Sequence, residues 1–395
     1  MSKSNKTTPN VPTLRFKKYD TNWDRKKLSD YVKKITRKNS NNVIKNVICN
    51  SAQNGLIPQL DFFDKEIANN ENTAGYYIIS NGDFVYNPRK SLSAPYGPVN
   101  IYKYDSDGIV SPLYLCFSVD DCINKSFLLQ RFKSPCWYRY IYLNGDSGAR
   151  HDRVSIKDEV FLSQPINLPN AEEQAVIAEF LEKIDERISV QNKIISDLKV
   201  LKKELCNKVF GKGSAVRLGD FIEEVTTRNK SNSCENVLSV SNKMGFIKQS
   251  EQFEDRTVAS ENKSNYKVVT EGCFAYNPAR INVGSIALLS TYKIGIISPM
   301  YVCFKTKSNL NSEYLNFYYQ SGFFYKELQK KLEGSVRQCL TYENMSEILI
   351  PYVGIEEQKA IAVTLNKFAT LIATEEKYIK SLQKQKSYFL NAMFI

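Results

Sequence analysis

Histidine is nearly absent from this chain, with one residue, His151, in 395. That excludes the His-rich clusters that hold many catalytic metals. The nine cysteines are an odd number, scattered with no Cys-x-x-Cys pair, so neither a disulfide framework nor a zinc knuckle is expected. Such usage reads as a reduced, cytoplasmic protein. No Gly-rich phosphate loop of either standard spacing occurs. The start, MSKSNKTTPN, lacks an apolar signal core, and nowhere do about eighteen apolar residues run together, so no membrane segment is expected. Acidic residues are the minority, 42 against 54 Lys and Arg, giving a net charge of +12 and a pI near 9.0. That balance points to a polyanionic partner, of which nucleic acid is the commonest. What is abundant is core material: 42% of residues are hydrophobic, with 21 Phe and 24 Tyr. The length suits two to four domains.

A long polar run of helix-forming residues occurs twice. Glu172–Phe210 returns as Glu356–Phe394, in register at an offset of 184 residues. Both copies open on Glu-Glu-Gln (172–174, 356–358) and close on Asn-x-x-Phe (207–210, 391–394). Between these marks apolar residues recur at alternating steps of four and three, the spacing of a coiled-coil seam. The first seam is Ile177, Leu181, Ile184, Ile188, Ile195 and Leu198; the second is Ile361, Leu365, Phe368, Ile372, Ile379 and Leu382. Each is interrupted once by a polar residue at the same place, Gln191 and Glu375, and such a residue can fix register. A lone helix of this kind would leave its stripe wet, so the simplest arrangement packs the two copies on one another.

The segments before these helices repeat as well. Leu28-Ser29-Asp30 returns as Leu218-Gly219-Asp220, and Gly55-Leu56-Ile57 as Gly245-Phe246-Ile247. Gly82–Pro88, GDFVYNP, returns as Gly272–Pro278, GCFAYNP. Ser111–Phe117 returns as Ser298–Phe304 at an offset of 187. Short apolar runs broken by Gly, Pro, Asn and Asp, such as Tyr76–Ile79 and Leu113–Phe117, read as strands joined by turns, with a helical interlude at Ile123–Tyr142. The framework repeats while the segments between landmarks diverge: Arg89–Tyr96 shares little with Ala279–Ser285. A duplicated scaffold with divergent loops suits two different recognition surfaces.

The opening VPTLRF (Val11–Phe16), Trp23 and KKLSD (Lys26–Asp30), the internal Gly-x-Phe-x-Tyr-Asn-Pro, the Glu-Glu-Gln-x-x-Ile-Ala helix starts and the half-to-half repeat resemble the specificity subunit of type I restriction-modification systems. The resemblance covers essentially the whole chain. It implies an α+β architecture of two repeated α/β target recognition domains, separated by two long helices that form an antiparallel coiled coil about a pseudo-two-fold. The boundaries expected are a first recognition domain at 1–166, a first spacer helix at 167–211, a second recognition domain at 212–350 and a second spacer helix at 351–395. It also implies a chain that is not itself an enzyme and binds no cofactor. Its partners would be double-stranded DNA, two modification (methyltransferase) subunits and restriction (translocase/nuclease) subunits, with S-adenosylmethionine, ATP and Mg used by those subunits. Two alternatives are the recognition subunit of a two-gene type II system and a basic coiled-coil adaptor that reads no sequence. The second half lacks the Trp of the first opening, so its early residues can pack differently.

The residues themselves contain no methyltransferase signature: Asn87-Pro88-Arg89 and Asn277-Pro278-Ala279 lack the second Pro and the aromatic residue of an amino-methyltransferase loop, and read as strand-ending turns. Basic groups at 15, 17, 18, 25, 26, 27, 33, 34, 37, 38 and 45 suit phosphate contact, or an ordinary solvated face. Base contact is expected from Arg, Lys, Asn and Gln on loops beside the strands. In the first half the candidates are Asn87, Arg89 and Lys90, with Arg150, His151 and Arg153 behind a Gly-rich turn. In the second they are Asn277, Arg280 and Asn282, with Arg337 and Gln338 behind Gly334-Ser335.

Overall fold

The computed structural model describes residues 10–62, 73–146, 152–242, 244–252, 263–332 and 338–395. They form two compact units, Met1–Gln191 with Tyr378–Ile395, and Asn192–Lys377. Each contains one globule and part of both long helices, Ala171–Phe210 and Ile355–Ala392.

In the first unit the central sheet runs in the order Val32–Lys34, Leu115–Val119, Phe84–Tyr86, Val99–Ile101, every neighbour antiparallel. Phe84–Tyr86 is buried at all three positions because both faces of the sheet are covered, which is why it reads as a continuous apolar run rather than an alternating one. On one face Phe84 and Tyr86 join Phe117, Phe132, Trp137 and Phe161, with the Phe84 and Phe117 rings stacked at 5.5 Å. On the other, Val85 and Cys116 meet Ile48, Leu56, Ile79 and Val110. These last come from a hairpin, Ile48–Ser51 with Gly55–Pro58, and from the pair Tyr77–Ile79 and Gly108–Val110. Gly108 permits their close approach, since a Cβ there would lie 2.7 Å from Ile48 Cγ1. The helical interlude is two helices, Lys125–Lys133 and Tyr138–Asn144; Pro135, with no N–H to donate, falls at the break.

The second unit follows the same plan. Its first sheet is Ile222–Glu224, Val302–Thr306, Cys273–Tyr276, Ile286–Leu288, and its second is Gly245–Lys248, Val237–Ser241, Ile294–Ile297, Lys267–Thr270. The parallel pairing of Val237–Leu238 with Ile296–Ile297 is a single bridge, Val47 to Ile109, in the first unit. Trp23, 3% exposed against Phe127, has Gly213 (φ +102) as its counterpart. The strand that follows nevertheless forms in both units, Asp24–Lys27 on Pro165–Leu168 and Ser214–Arg217 on Leu349–Tyr352.

The repeated marks of the long helices are joints. Gln174 is buried; its Oε1 accepts from Asn124 N (3.0 Å) and its Nε2 donates to Pro169 O (3.0 Å). Gln358 repeats both bonds, to Asn311 N (2.8 Å) and Val353 O (2.8 Å). Asn124 and Asn311 in turn cap the helices they precede. The closing phenylalanines are the other half of the joint: Phe394 packs on Phe127 at 5.3 Å in the first unit, and Phe210 on Tyr314 at 5.2 Å in the second. Each globule therefore grips the start of one long helix and the end of the other, so the two run antiparallel in each unit. Contacts agree, with Phe180 on Phe389 and Arg187 on Tyr378 in the first unit, and Lys199 on Glu376 in the second. Of the seam residues, Ile177, Leu181, Ile195, Leu365, Ile372, Ile379 and Leu382 are buried. Ile184, Ile188, Leu198, Ile361 and Phe368 are half-buried.

Candidate nucleic-acid interface

A cleft of about 570 Å³ opens in the first globule between three loops: the hairpin tip at Ser51–Gln53, the turn Asn87–Ser91 and the segment around Leu113 and Tyr114. Asn87, Arg89, Lys90 and Arg153 all line it. The chain brings them together by zipping the turn after Pro88 against residues 152–154. Lys90 N donates to Asp152 O (2.8 Å), Val154 N donates to Pro88 O (2.9 Å), and Arg89 and Arg153 face each other across an antiparallel bridge. One carboxylate, Asp152, stands 4.0 Å from both guanidinium groups. With the Arg89 side chain 69% exposed, such a loose pair contributes little. Two arginines and Lys90 are thus available to a phosphate or the edge of a base, since a guanidinium offers its donors as a planar fork.

Asn87 braces the turn: its Nδ2 donates to Asn50 O of the hairpin (3.1 Å) and its Oδ1 accepts from Arg89 N (3.0 Å). Asn277 accepts from Ala279 N in the same way. In the second globule that turn leads into a short 3-10 helix, Ile281–Val283, anchored by buried Ile281 and closed by Gly284 at φ +89. It holds Arg280 and Asn282 outward. Leu340 N donates to Pro278 O (3.2 Å), which brings the segment bearing exposed Gln338 to the same turn. Arg150, His151 and Arg337 lie outside the described residues.

Several cations of the basic opening meet carboxylates, and one of these pairs is buried. Arg15 forms a two-pronged pair with the wholly buried Glu173 carboxylate, both bonds 2.7 Å. Lys18 pairs with Glu172, Lys34 with Asp158 and Arg37 with Asp107. Arg25, Lys26 and Lys27 stand exposed on their strand, with no ion pair among the described residues.

Burial pushes the Cys49 thiol and the Tyr114 phenol up from their usual ranges, which leaves them protonated and poor as nucleophile or base at neutral pH. Among the described residues no group of three His, Cys, Asp or Glu could hold a metal ion.

Sequence reasoning missed the asparagines that hold the cleft's shape. Asn50 Nδ2 donates to Val85 O (2.7 Å), and Asn100 Nδ2 donates to Asn50 Oδ1 (2.7 Å) and Ser51 O (3.1 Å). Their counterparts are Val240 and Ala287, which share an apolar cluster in the second globule. The paired departure from the repeat was the available signal.

The family model for the type I restriction modification DNA specificity domain matches residues 20–200 and again 214–384. The type I restriction enzyme MjaVIII specificity subunit of Methanocaldococcus jannaschii is 26% identical over 323 residues, 72% of this chain and 70% of that protein. The crystal structure of the S subunit of a type I restriction-modification system from M. genitalium superposes with a TM-score of 0.57 at 13% identity, covering 98% of this chain and 99% of that one. A structure from work on assembly and conformational transition of a type I R-M system gives 0.55 at 16% identity, covering 93% and 96%. At those identities the two structures speak for the fold alone.

Proposed function

From the premise that this chain belongs to the type I restriction modification DNA specificity family, we infer that it is the specificity subunit of a type I restriction-modification complex, each globule reading one half of a bipartite duplex target. The matched family is the type I one, which favours this reading over a two-gene type II system. The observation that carries it is a frame repeated bond for bond, with Gln174 and Gln358 at the helix starts and Asn124 and Asn311 at the caps, around side chains at the matching turns that differ: Arg89, Lys90 and Arg153 in one unit, Arg280, Asn282 and Gln338 in the other. A shared frame sets two equal readers, and unlike side chains give them unlike targets.

The chain recognises and its partners catalyse. The long helices dock two modification subunits, which use S-adenosylmethionine; restriction subunits, using ATP and Mg, join for cleavage, and the whole works in the cytoplasm. No helix among the described residues is long and apolar enough to cross a membrane. The test is methyl transfer from labelled S-adenosylmethionine by the chain assembled with its modification subunits. Transfer confined to duplexes bearing one bipartite sequence is expected; sequence-independent transfer would refute the reading.

A further inference from the structure

The hairpins at residues 48–58 and 237–248 turn within one frame. Ser51 Oγ accepts from Gln53 N (3.3 Å) and Asn54 N (3.2 Å), and Ser241 Oγ accepts from Met244 N (3.4 Å). Gly55 (φ +74) and Gly245 (φ +67) close the turns in the left-handed region, which glycine adopts without strain. Inside that frame nothing is shared: Ala52-Gln53-Asn54 stands where the second half has Asn242-Lys243-Met244. At the other repeated joints the side chains are used internally. Here they face outward: Gln53 and Asn54 are exposed, and among the described residues neither side-chain amide has a hydrogen-bond partner.

The first tip is also held in place. The bonds from Asn50 to Val85 O, from Asn100 to Asn50 Oδ1 and Ser51 O, and from Asn87 to Asn50 O tie the hairpin to the central sheet and to the turn bearing Arg89. Gln53 consequently lines the same cleft as Arg89, Lys90 and Arg153. A two-stranded ribbon fits the major groove, and a side-chain amide presents a donor and an acceptor together, matching the N6 and N7 edge of adenine.

We propose that the hairpin tip Gln53-Asn54 is a base-reading element of the first unit, addressing an adenine edge in the major groove. This rests on the reading of the chain as a sequence-specific DNA-binding subunit.

The test uses the chain assembled with its modification subunits and duplexes carrying the methylation-mapped target, with all four bases placed in turn at each half-site position. Gln53→Ala or Asn54→Ala is expected to lose about 5- to 100-fold of the preference for adenine at one position, the size of a good bidentate contact. Every position in the other half-site is expected to be untouched. The triple change Ala52→Asn, Gln53→Lys, Asn54→Met should shift the preferred base at that same position. If both alanine variants keep the wild-type preference everywhere, or lose affinity equally on all sequences as a phosphate contact would, the proposal is overturned while the functional reading stands. A wild-type complex with no base preference at all overturns both.

Discussion

The asparagine pair at the base of the first hairpin offers a test of how that cleft is held. Asn50 is 5% exposed and makes bonds of 2.7 Å to Val85 O, 3.4 Å to Pro98 O and 2.7 Å from Asn100. Asn50→Val removes all three and leaves the Asn100 amide facing a methyl group. Net bonds of about 1 kcal/mol each, plus desolvation of a group left unpaired at about 1–3 kcal/mol, give an expected loss of about 2–4 kcal/mol after the gain from burying valine. Asn100→Ala, which orphans Asn50 Oδ1, should cost about 1–2 kcal/mol. The double variant recreates the Val240 and Ala287 combination of the second globule, and should fall short of the sum of the singles by at least about 1 kcal/mol. The assay is urea unfolding of the intact chain followed by tryptophan emission. The only two tryptophans, Trp23 and Trp137, are 3% and 2% exposed in the first globule, so the signal reports that globule alone. With a slope of about 2 kcal/mol per molar, a loss of 2 kcal/mol moves the midpoint by about 1 M. Single costs that add to the double within about 0.5 kcal/mol would refute the reasoning.

Four further outcomes are expected. Arg15→Met should destabilise the first globule by about 3–5 kcal/mol, because it strands the Glu173 carboxylate, whose side chain is 0% exposed; a loss below about 1 kcal/mol by the same tryptophan signal would return the pair to the solvated surface. Burial opposes ionisation of Asp185, but Lys133, Lys386 and Gln130 outweigh it and hold its carboxyl below the usual range. Its stabilising contribution is therefore present above the ordinary carboxylate pKa and lost as pH falls through the lower folded value. Asp185→Asn should cost about 1.5–3 kcal/mol at pH 7 and converge on wild type in acid; a pH-independent gap would contradict this. Arg280→Ala should relax discrimination in one half-site by about 1–3 kcal/mol, whereas Lys26→Ala should weaken all sequences alike and lower the salt slope by about 1, both read from binding titrations at several salt concentrations. The chain purified free of its modification subunits should transfer no methyl groups from S-adenosylmethionine, and turnover by it alone would contradict its role as a recognition subunit.

How far these features were legible from residue order follows from what each side chain must do. Gln174 and Gln358 satisfy backbone groups of another element, and a buried backbone group leaves little choice of partner, so both copies kept the same letter and the repeat exposed them. The heptad seams were readable for a related reason: an apolar stripe at coiled-coil spacing needs cover whichever residue fills it. Composition misleads at the next level. Arg15 looks like any other cation in a basic opening, and only the position of Glu173 beneath it turns it into a structural clamp. Asn87 has the chemistry of a base-reading residue, and residue order does not show that its amide also ties the turn to the hairpin and to the Arg89 backbone.

The cleft itself was hardest to see because it is assembled from segments remote in sequence: Arg89 meets Arg153 only because residues 88–90 zip against 152–154. Residue order nonetheless contains a clue of a different kind. At Asn50 and Asn100 the two halves depart from one another together, polar pair for apolar pair, as expected where side chains touch and one cannot change alone. Between Ser51 and Gly55 they depart at three successive positions while both ends stay the same. Paired departures point to contacts inside a globule, and runs of departure inside an unchanged frame point to a surface freed from packing. A duplicated chain can in this way be compared with itself: agreement between its halves marks the joints, and isolated disagreement marks the side chains that set its two readers apart.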